Sequence, residues 1–176
     1  MDMGGSTFGL GIRISKSVLV LSFAVFATLV VLGNVTDYYT NFEFVTHVLS
    51  MDETFNDDIM YRAITNETIH HIGYILIILI EAFIMVSCWV GGINMLRHLK
   101  SDPAAFHQSK LWGMIGLTAG LALWFLGFQA IAGEWFGMWM NADWNGIPDA
   151  TRLTLFLLGT LIFLTMKNDD METTKK

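Results

Sequence analysis

Glu81 is the residue whose type and position most strongly suggest chemistry. It is the only charged residue in a run of twenty-five between His71 and Arg97. At 100° per residue, three other polar side chains fall near the helical line of Glu81: His70, Tyr74 and Cys88. A carboxyl group among apolar residues could relay protons or bind the head group of a quinone or a lipid. It could instead be a neutral group hydrogen-bonded to a neighbouring helix, and the sequence is compatible with both.

A second set of polar residues follows the first apolar run. Asn34, Asp37 and Asn41 fall at helical spacing, so they share one face of a helix. Together with the stripe around Glu81 they predict a polar cluster. Such a cluster could bind a quinone, a lipid or a proton-coupled substrate, although no cofactor is predicted. The candidate members are Asn34, Asp37, Asn41, His47, His70, Tyr74, Glu81, Glu134 and Arg152.

Metal binding and covalent catalysis have little support in the sequence. His47 and His70 are weak candidates for metal ligands, because histidine is a common ligand of transition metals. His70 and His71 are adjacent, so they would point in different directions on a helix, and no HExxH motif is present. The sequence contains no nucleophile–base pair, phosphate loop or cysteine pair. We therefore predict no metal site and no catalytic residue.

The elements that must position these residues are four apolar runs. A helix needs about 20 mostly apolar residues to cross roughly 30 Å of hydrocarbon, and a hydrophobic content of 53% is high for a soluble domain. We predict a single all-α domain over residues 1–176, folded as an antiparallel four-helix transmembrane bundle. The predicted spans are about 14–36, 72–96, 111–133 and 148–166.

The basic residues are sorted between the two ends of these spans. Lys and Arg are retained on the cytoplasmic side of a membrane. If both termini are cytoplasmic, the inner segments hold eight of the ten basic residues, and only Arg62 and Arg152 are outside. We therefore predict that both termini are cytoplasmic. The net charge of −6 gives no reason to expect a nucleic-acid partner.

The outer loops carry helix signals and one expected ion pair. In the first loop, apolar residues repeat at helical spacing and predict a short helix lying on the membrane surface. These residues are Phe42, Val45, Val48 and Leu49. Thr65 or Asn66 is expected to cap the second span. In the second loop, Arg152 is expected to pair with Glu134 or Asp149 at the outer edge of the short fourth span.

Glycines define one face of the third span. A pair of small residues four positions apart lets another helix approach closely. We interpret this face as a helix-packing surface, which could also receive another membrane subunit. Its glycines are Gly113, Gly116, Gly120 and Gly127.

Two outer motifs resemble those of a known family. The first runs from Asn34-Val-Thr-Asp37-Tyr38 through Asn41-Phe42-Glu43-Phe44-Val45-Thr46-His47 to Met51-Asp52, and continues with Arg62, His70, Tyr74 and Glu81. The second is Gly133-Glu134-Trp135-Phe136-Gly137-Met138-Trp139, followed by Trp144-Asn145-Gly146 and Arg152. Over roughly residues 14–166 the chain resembles a proteobacterial family of uncharacterised small integral membrane proteins, with Ile147 where Gln is expected. The resemblance implies four spans and the bacterial inner membrane, and it brings no assigned activity.

Two classes of function are compatible with these observations. The first is a non-catalytic accessory subunit of a larger membrane complex, for example a respiratory or oxidoreductase complex. It would contact lipids and other integral membrane subunits through the glycine face or the aromatic outer loop. The second is a protein that binds a quinone, a metal or a proton-coupled substrate around Glu81. The small size and the lack of a cofactor motif favour the first class, so an enzyme is the less favoured expectation.

Overall fold

The chain folds into long helices joined by short helical segments. The computed structural model describes residues 3–167 and residue 169, with the backbone alone for residues 3–6. The helices are α1 (Met3–Thr36), α2 (Tyr38–Ser50), α3 (Glu67–Arg97), α4 (Pro103–Ser109), α5 (Leu111–Leu121), which continues as a π-helix (Ala122–Trp135), and α6 (Ile147–Thr165). Two short 3₁₀ segments lie in the loops, Asp57–Arg62 and Met138–Met140. No strand occurs in this described part of the chain.

Four of these elements are long and apolar enough to cross a membrane. They are Thr7–Thr36, Glu67–Arg97, Pro103–Trp135 and Ile147–Thr165. The predicted bundle of four long apolar helices packed together is therefore confirmed. The first helix begins at Met3, eleven residues before the boundary predicted at residue 14. The glycines before residue 14 lower helix propensity, but no proline interrupts this segment, so the backbone hydrogen bonds of the helix continue through it.

The predicted short helix in the first loop exists, and its apolar face is turned toward the protein. Its apolar residues Phe42, Val45 and Val48 are buried inside the protein. Phe42 and Val45 share a core cluster with Tyr74 of α3, whereas Val48 packs with Met51 and residues that follow the π-helix. The apolar face of α2 is therefore satisfied by the protein itself. Protein contacts replace the lipid contacts expected for a free amphipathic helix.

Helix caps fix where the second and third long segments begin. The side chain of Asn66 accepts hydrogen bonds from the backbone N–H groups of Thr68 and Ile69, which confirms the expected cap of α3. Asp102 caps α4 by accepting from the N–H of Ala105 at 3.0 Å. Pro103 follows in the first turn, where its missing N–H costs nothing.

The glycine face of α5 is filled by the chain's own helices. A Cβ added at Gly91 of α3 would lie 2.6 Å from the Cα of Gly113, so the two backbones touch. Gly116 lies against Cys88, and Gly120 lies against Leu157 of α6. Gly127, the fourth glycine of the predicted face, meets only Leu123 of its own helix and lines a cavity instead. Because Gly113, Gly116 and Gly120 are buried here, these three glycines do not offer a surface to a partner in this fold.

Polar contacts attach α6 to the third long segment. Gln129, in the π-helix, donates to Thr154 Oγ1 at 2.8 Å and accepts from Thr151 Oγ1 at 3.1 Å. Within α6 itself, Arg152 pairs with Asp149 at 2.8 Å. The expected ion pair of Arg152 is therefore confirmed, with Asp149 rather than Glu134 as the partner. Ile147 lies against Gly133, which gives this apolar side chain a packing role at the start of α6.

Candidate functional site

The predicted stripe on α3 is buried and meets the end of α1. Glu81 is only 4% exposed, and its Oε2 accepts a hydrogen bond of 2.6 Å from Asn34 Nδ2. Tyr74 lies two helical turns before Glu81, and its hydroxyl donates to the backbone oxygen of Asn34 at 3.1 Å. Asn34 therefore bonds to two residues of the stripe at once. This arrangement gives Glu81 the neighbouring-helix partner that a buried carboxyl group requires.

The other members of the predicted cluster have separate partners. His70 Nε2 lies 2.6 Å from the backbone oxygen of Ile64, and the ring is buried. Asn41 donates to the backbone oxygen of Asp37, whose side chain is exposed. Thus the structure brings together Asn34, Tyr74 and Glu81, and these other residues make local contacts.

Three further residues of the predicted cluster, Glu134, Arg152 and His47, also lie apart from Asn34, Tyr74 and Glu81. Glu134 is exposed, and Arg152 is 65% exposed where it pairs with Asp149. His47 Nδ1 lies 2.8 Å from Asp52 Oδ2, and its ring stacks on Trp144. Within residues 3–167 and 169, no three His, Cys, Asp or Glu side chains converge as metal ligands would.

A stack of aromatic rings, which the sequence did not reveal, fixes α2 to α3. The ring of Phe42 lies parallel to that of His71, with centroids 4.0 Å apart. Tyr38 stacks on the same side, and its hydroxyl lies 2.8 Å from His71 Nδ1. The spacing of Tyr38 and Phe42 (i, i+4) could have shown that they share a face. Their ring partner on α3 could not be chosen from spacing alone.

An apolar cavity lies between α2, α3 and the π-helix. Its volume is about 160 Å³, which is close to that of a cavity known to hold one benzene molecule. The lining comes from twelve residues without a charged side chain: Phe44, Val45, Val48, Leu49, Gly73, Ile77, Leu123, Gly127, Phe128, Ile131, Ala132 and Phe136. Glu81 and Asn34 are not among them. The cavity and the polar trio are therefore separate, and the cavity offers no side-chain donor for a quinone head group.

A second polar cluster, which the sequence reasoning missed, lies at the opposite end of α1. Arg13 and Lys16 of α1, Lys110 before α5, and Asp169 after α6 are all at most 2% exposed. Asp169 Oδ2 lies 2.6 Å from Lys110 Nζ and 3.3 Å from Lys16 Nζ. Arg13 Nε donates to the backbone oxygen of Asp169 at 2.9 Å. We call these four residues the basic-end cluster.

The charges around Asp169 determine its protonation. Burial by itself would raise the pKa of the Asp169 carboxyl group, but the hydrogen bond and charge of Lys110, together with Lys16, bring that pKa below its ordinary value. Asp169 is therefore ionised at neutral pH. A signal for this cluster did exist in the sequence, because Arg13, Lys16 and Val20 follow helical spacing and continue the buried face of α1.

Comparison with known proteins identifies the family. A family model described as "Predicted small integral membrane protein (DUF2165)" matches residues 12–167. The chain belongs to this family. It is a multi-pass integral membrane protein. No curated protein and no solved structure gives a significant match.

The family match covers all of the Asn34–Tyr74–Glu81 group but only part of the basic-end cluster. The matched range contains Asn34, Tyr74 and Glu81, and it also contains the basic residues of the basic-end cluster. It ends two positions before Asp169. Along α1, Arg13 and Asn34 are 21 residues apart, which corresponds to about 30 Å of helix. This member of the family therefore carries one polar cluster at each end of its first span.

Proposed function

We propose that this family member is a non-catalytic accessory subunit of a larger membrane complex. Its termini would be cytoplasmic, because eight of ten basic residues then lie inside. Its membrane would be the bacterial inner membrane, as the family resemblance implies. Respiratory and oxidoreductase complexes are the partners to test first. The observation that carries the proposal is the internal bonding of the polar groups within the spans. Glu81 bonds to Asn34, and Gln129 bonds to Thr151 and Thr154.

The internal bonding favours a structural role for a simple reason. A polar group that acts on a ligand must retain a free donor or acceptor in a cavity large enough for that ligand. Here the paired groups Asn34 and Glu81 are absent from the lining of the apolar cavity. Asn34, Glu81 and Gln129 thus hold the chain's own helices together, as expected of a scaffold rather than of a ligand site.

A rim of aromatic residues outside the spans supports contact with another subunit. Phe55 and Tyr61 lie in the segment between α2 and α3, and they are 73% and 74% exposed. Trp139 is about half exposed and lies edge-on to Phe55 at 5.9 Å. Aromatic residues are enriched where proteins bind each other. We define Phe55, Tyr61 and Trp139 as the aromatic rim and propose that an integral membrane subunit contacts it.

Extraction in a mild detergent tests this proposal. We expect the native protein to be isolated with integral membrane partners in a fixed ratio, measured by native mass spectrometry. The double variant Phe55→Ser/Tyr61→Ser should lose the partners while its own melting temperature is retained. Phe8→Ser is the matched control, because Phe8 is similarly exposed at the opposite end of α1. Isolation of the wild-type protein as a lone monomer or homodimer contradicts the proposal.

The cavity supports a second candidate function, the binding of an apolar group. A cavity of about 160 Å³ could hold a ring or part of a lipid or quinone tail. Two variants test this candidate. Gly73→Leu would fill the cavity wall and should abolish binding of a quinone analogue, measured by calorimetry in detergent. If Glu81 also contributes a proton-linked step, Glu81→Gln should abolish that signal with normal folded yield. Unchanged binding of the analogue by Gly73→Leu would exclude this candidate.

A further inference from the structure

The basic-end cluster carries more positive than negative charge. Arg13, Lys16 and Lys110 are buried cations. Lys16 and Lys110 contact the buried carboxylate of Asp169, whereas Arg13 contacts the backbone oxygen of that residue. Burial of a charge is costly unless it is paired, because the charge loses its hydration. Among the described residues, three buried cations therefore share one buried anion. This excess of buried positive charge indicates a place that can hold an anionic group other than the chain's own carboxylate.

Arg13 gives an independent indication of such a site. Its Nη1 donates to the backbone oxygens of Leu99 and Ser101, and its Nε donates to that of Asp169. Its Nη2 is buried without a hydrogen-bond partner. An unpaired guanidinium N–H is expensive to bury, and a phosphate oxygen is a partner that an arginine fork binds well.

We propose that the basic-end cluster is a binding site for a phosphate group, which the chain's own Asp169 occupies in this structure. For the phosphate to bind, the Asp169 side chain must leave the site, and its return releases the phosphate. The cationic side chains are at most 2% exposed, so no second anion can enter while Asp169 is docked. Lys16 also bonds to the backbone oxygen of Met166, which helps to hold the chain just after α6 in place.

The head group of an anionic phospholipid is the most accessible source of the phosphate. The cluster lies at one end of the bundle, and on α1 it is flanked by the exposed side chains of Ile14 and Val18. Basic pockets between transmembrane helices on the cytoplasmic side bind such head groups, so this choice of ligand rests on the cytoplasmic termini of the proposed function. Inorganic phosphate presents the same chemistry without the acyl chains. The site is independent of the accessory-subunit proposal, because it needs no protein partner.

Binding to defined lipids tests the charges of the site. Purified protein is titrated with phosphatidylglycerol or phosphatidylcholine, and bound lipid is counted by native mass spectrometry. We expect preference for phosphatidylglycerol, and Lys110→Gln should weaken this binding about fivefold, the effect of one basic group. Asp169→Asn should strengthen it, because the competing carboxylate is removed. Lys100→Gln is the matched control, since Lys100 is exposed and lies at the same end; it should leave specific binding unchanged.

Release of the tail tests the exchange in the wild-type protein, without relying on a variant that folds. Trypsin can cut after Lys167, which is exposed next to the docked Asp169. Phosphatidylglycerol nanodiscs should accelerate the loss of residues 168–176, measured by intact mass, relative to phosphatidylcholine nanodiscs. If inorganic phosphate in detergent gives the same acceleration, a soluble phosphate is the source; if only the anionic lipid does, the lipid is. Equal cleavage rates under all conditions, or equal lipid binding by Lys110→Gln and Lys100→Gln, would overturn the proposal.

Discussion

Asn34 Nδ2 donates a 2.6 Å hydrogen bond to Glu81 Oε2, and this bond joins α1 to α3 across 47 positions of sequence. Interhelical hydrogen bonds in membranes contribute about 0.6 kcal/mol on average. Loss of the partner of a buried polar group costs more, about 1–3 kcal/mol, because that group is left unsatisfied. The two ends of this bond should therefore respond differently to substitution.

We predict that Glu81→Gln is nearly neutral, because the amide oxygen can still accept from Asn34. Asn34→Leu should destabilise the protein by about 1–3 kcal/mol, because Glu81 loses its donor. Reversible unfolding in mixed micelles measures both values. Asn41→Leu is the matched control, since Asn41 donates only to the nearby backbone oxygen of Asp37. Equal losses in the Glu81 and Asn34 variants would contradict this account.

The contact between Gly91 and Gly113 predicts a severe effect of one methyl group. In Gly91→Ala the new Cβ would overlap the backbone of α5, and a backbone cannot rotate away as a side chain can. We expect α3 and α5 to separate, with a loss of more than about 2 kcal/mol of stability. Gly159→Ala is the control, because a Cβ at Gly159 meets nothing within 4 Å. Melting temperatures in detergent should fall for the first variant and stay level or rise for the second.

The ion pairs of Asp169 predict a specific dependence on pH. The pKa of Asp169 is below its ordinary value of 3.8, so the folded state holds this proton less tightly than the unfolded state. The stabilisation is complete above that ordinary value and decreases as the pH falls through the lower folded pKa. At neutral pH, Asp169→Asn should cost about 3 kcal/mol, since buried cations lose their partner.

Melting temperatures of wild type and Asp169→Asn, measured from about pH 3 to pH 7, check this dependence. The difference between the two proteins should be constant near neutrality and shrink in the acid range. Asp57→Asn, at an exposed carboxylate in the loop between α2 and α3, serves as the control for removal of one negative charge. A difference in melting temperature that grows on acidification would contradict the predicted lowering of the Asp169 pKa.

The ion pair between Arg152 and Asp149 should contribute little. Both side chains are more than 60% exposed, at 65% and 72%, so water competes for the charges. Exposed pairs typically contribute about 0–1 kcal/mol. We predict that Arg152→Gln changes the unfolding free energy by less than about 1 kcal/mol. A larger loss in the same unfolding assay would indicate a role for Arg152 beyond this pair.

The spans could be predicted because hydrocarbon imposes a length and a polarity that the sequence displays directly. The burial of Tyr74 and Glu81 on one face of α3 also followed from helical periodicity. The partner of Glu81 did not, because several outer polar residues were compatible with it and only the packing of α1 on α3 selects Asn34. For the same reason Glu134 and Arg152, which were grouped with Glu81 by position, lie in separate surroundings.

The basic-end cluster was not predicted because the retention of Lys and Arg on the cytoplasmic side already accounts for its basic residues. The positive charge of Lys16 and Lys110 fits the cytoplasmic-side rule, and that rule does not say what their side chains contact. In the structure they contact Asp169, which follows the last span. The π-helix from Ala122 to Trp135 also had no sequence signal. Wide turns of this kind depend on packing around the helix more than on its composition.

Arg13 and Asp169 are 156 positions apart, so the carboxylate is synthesised long after the cationic groups of the first helix. Asp169 also follows the fourth helix in the chain. In a form that contains only the first three helices, these cations would therefore lack their carboxylate. The segment after α6, which carries Asp169, thus supplies the last polar contacts of the bundle.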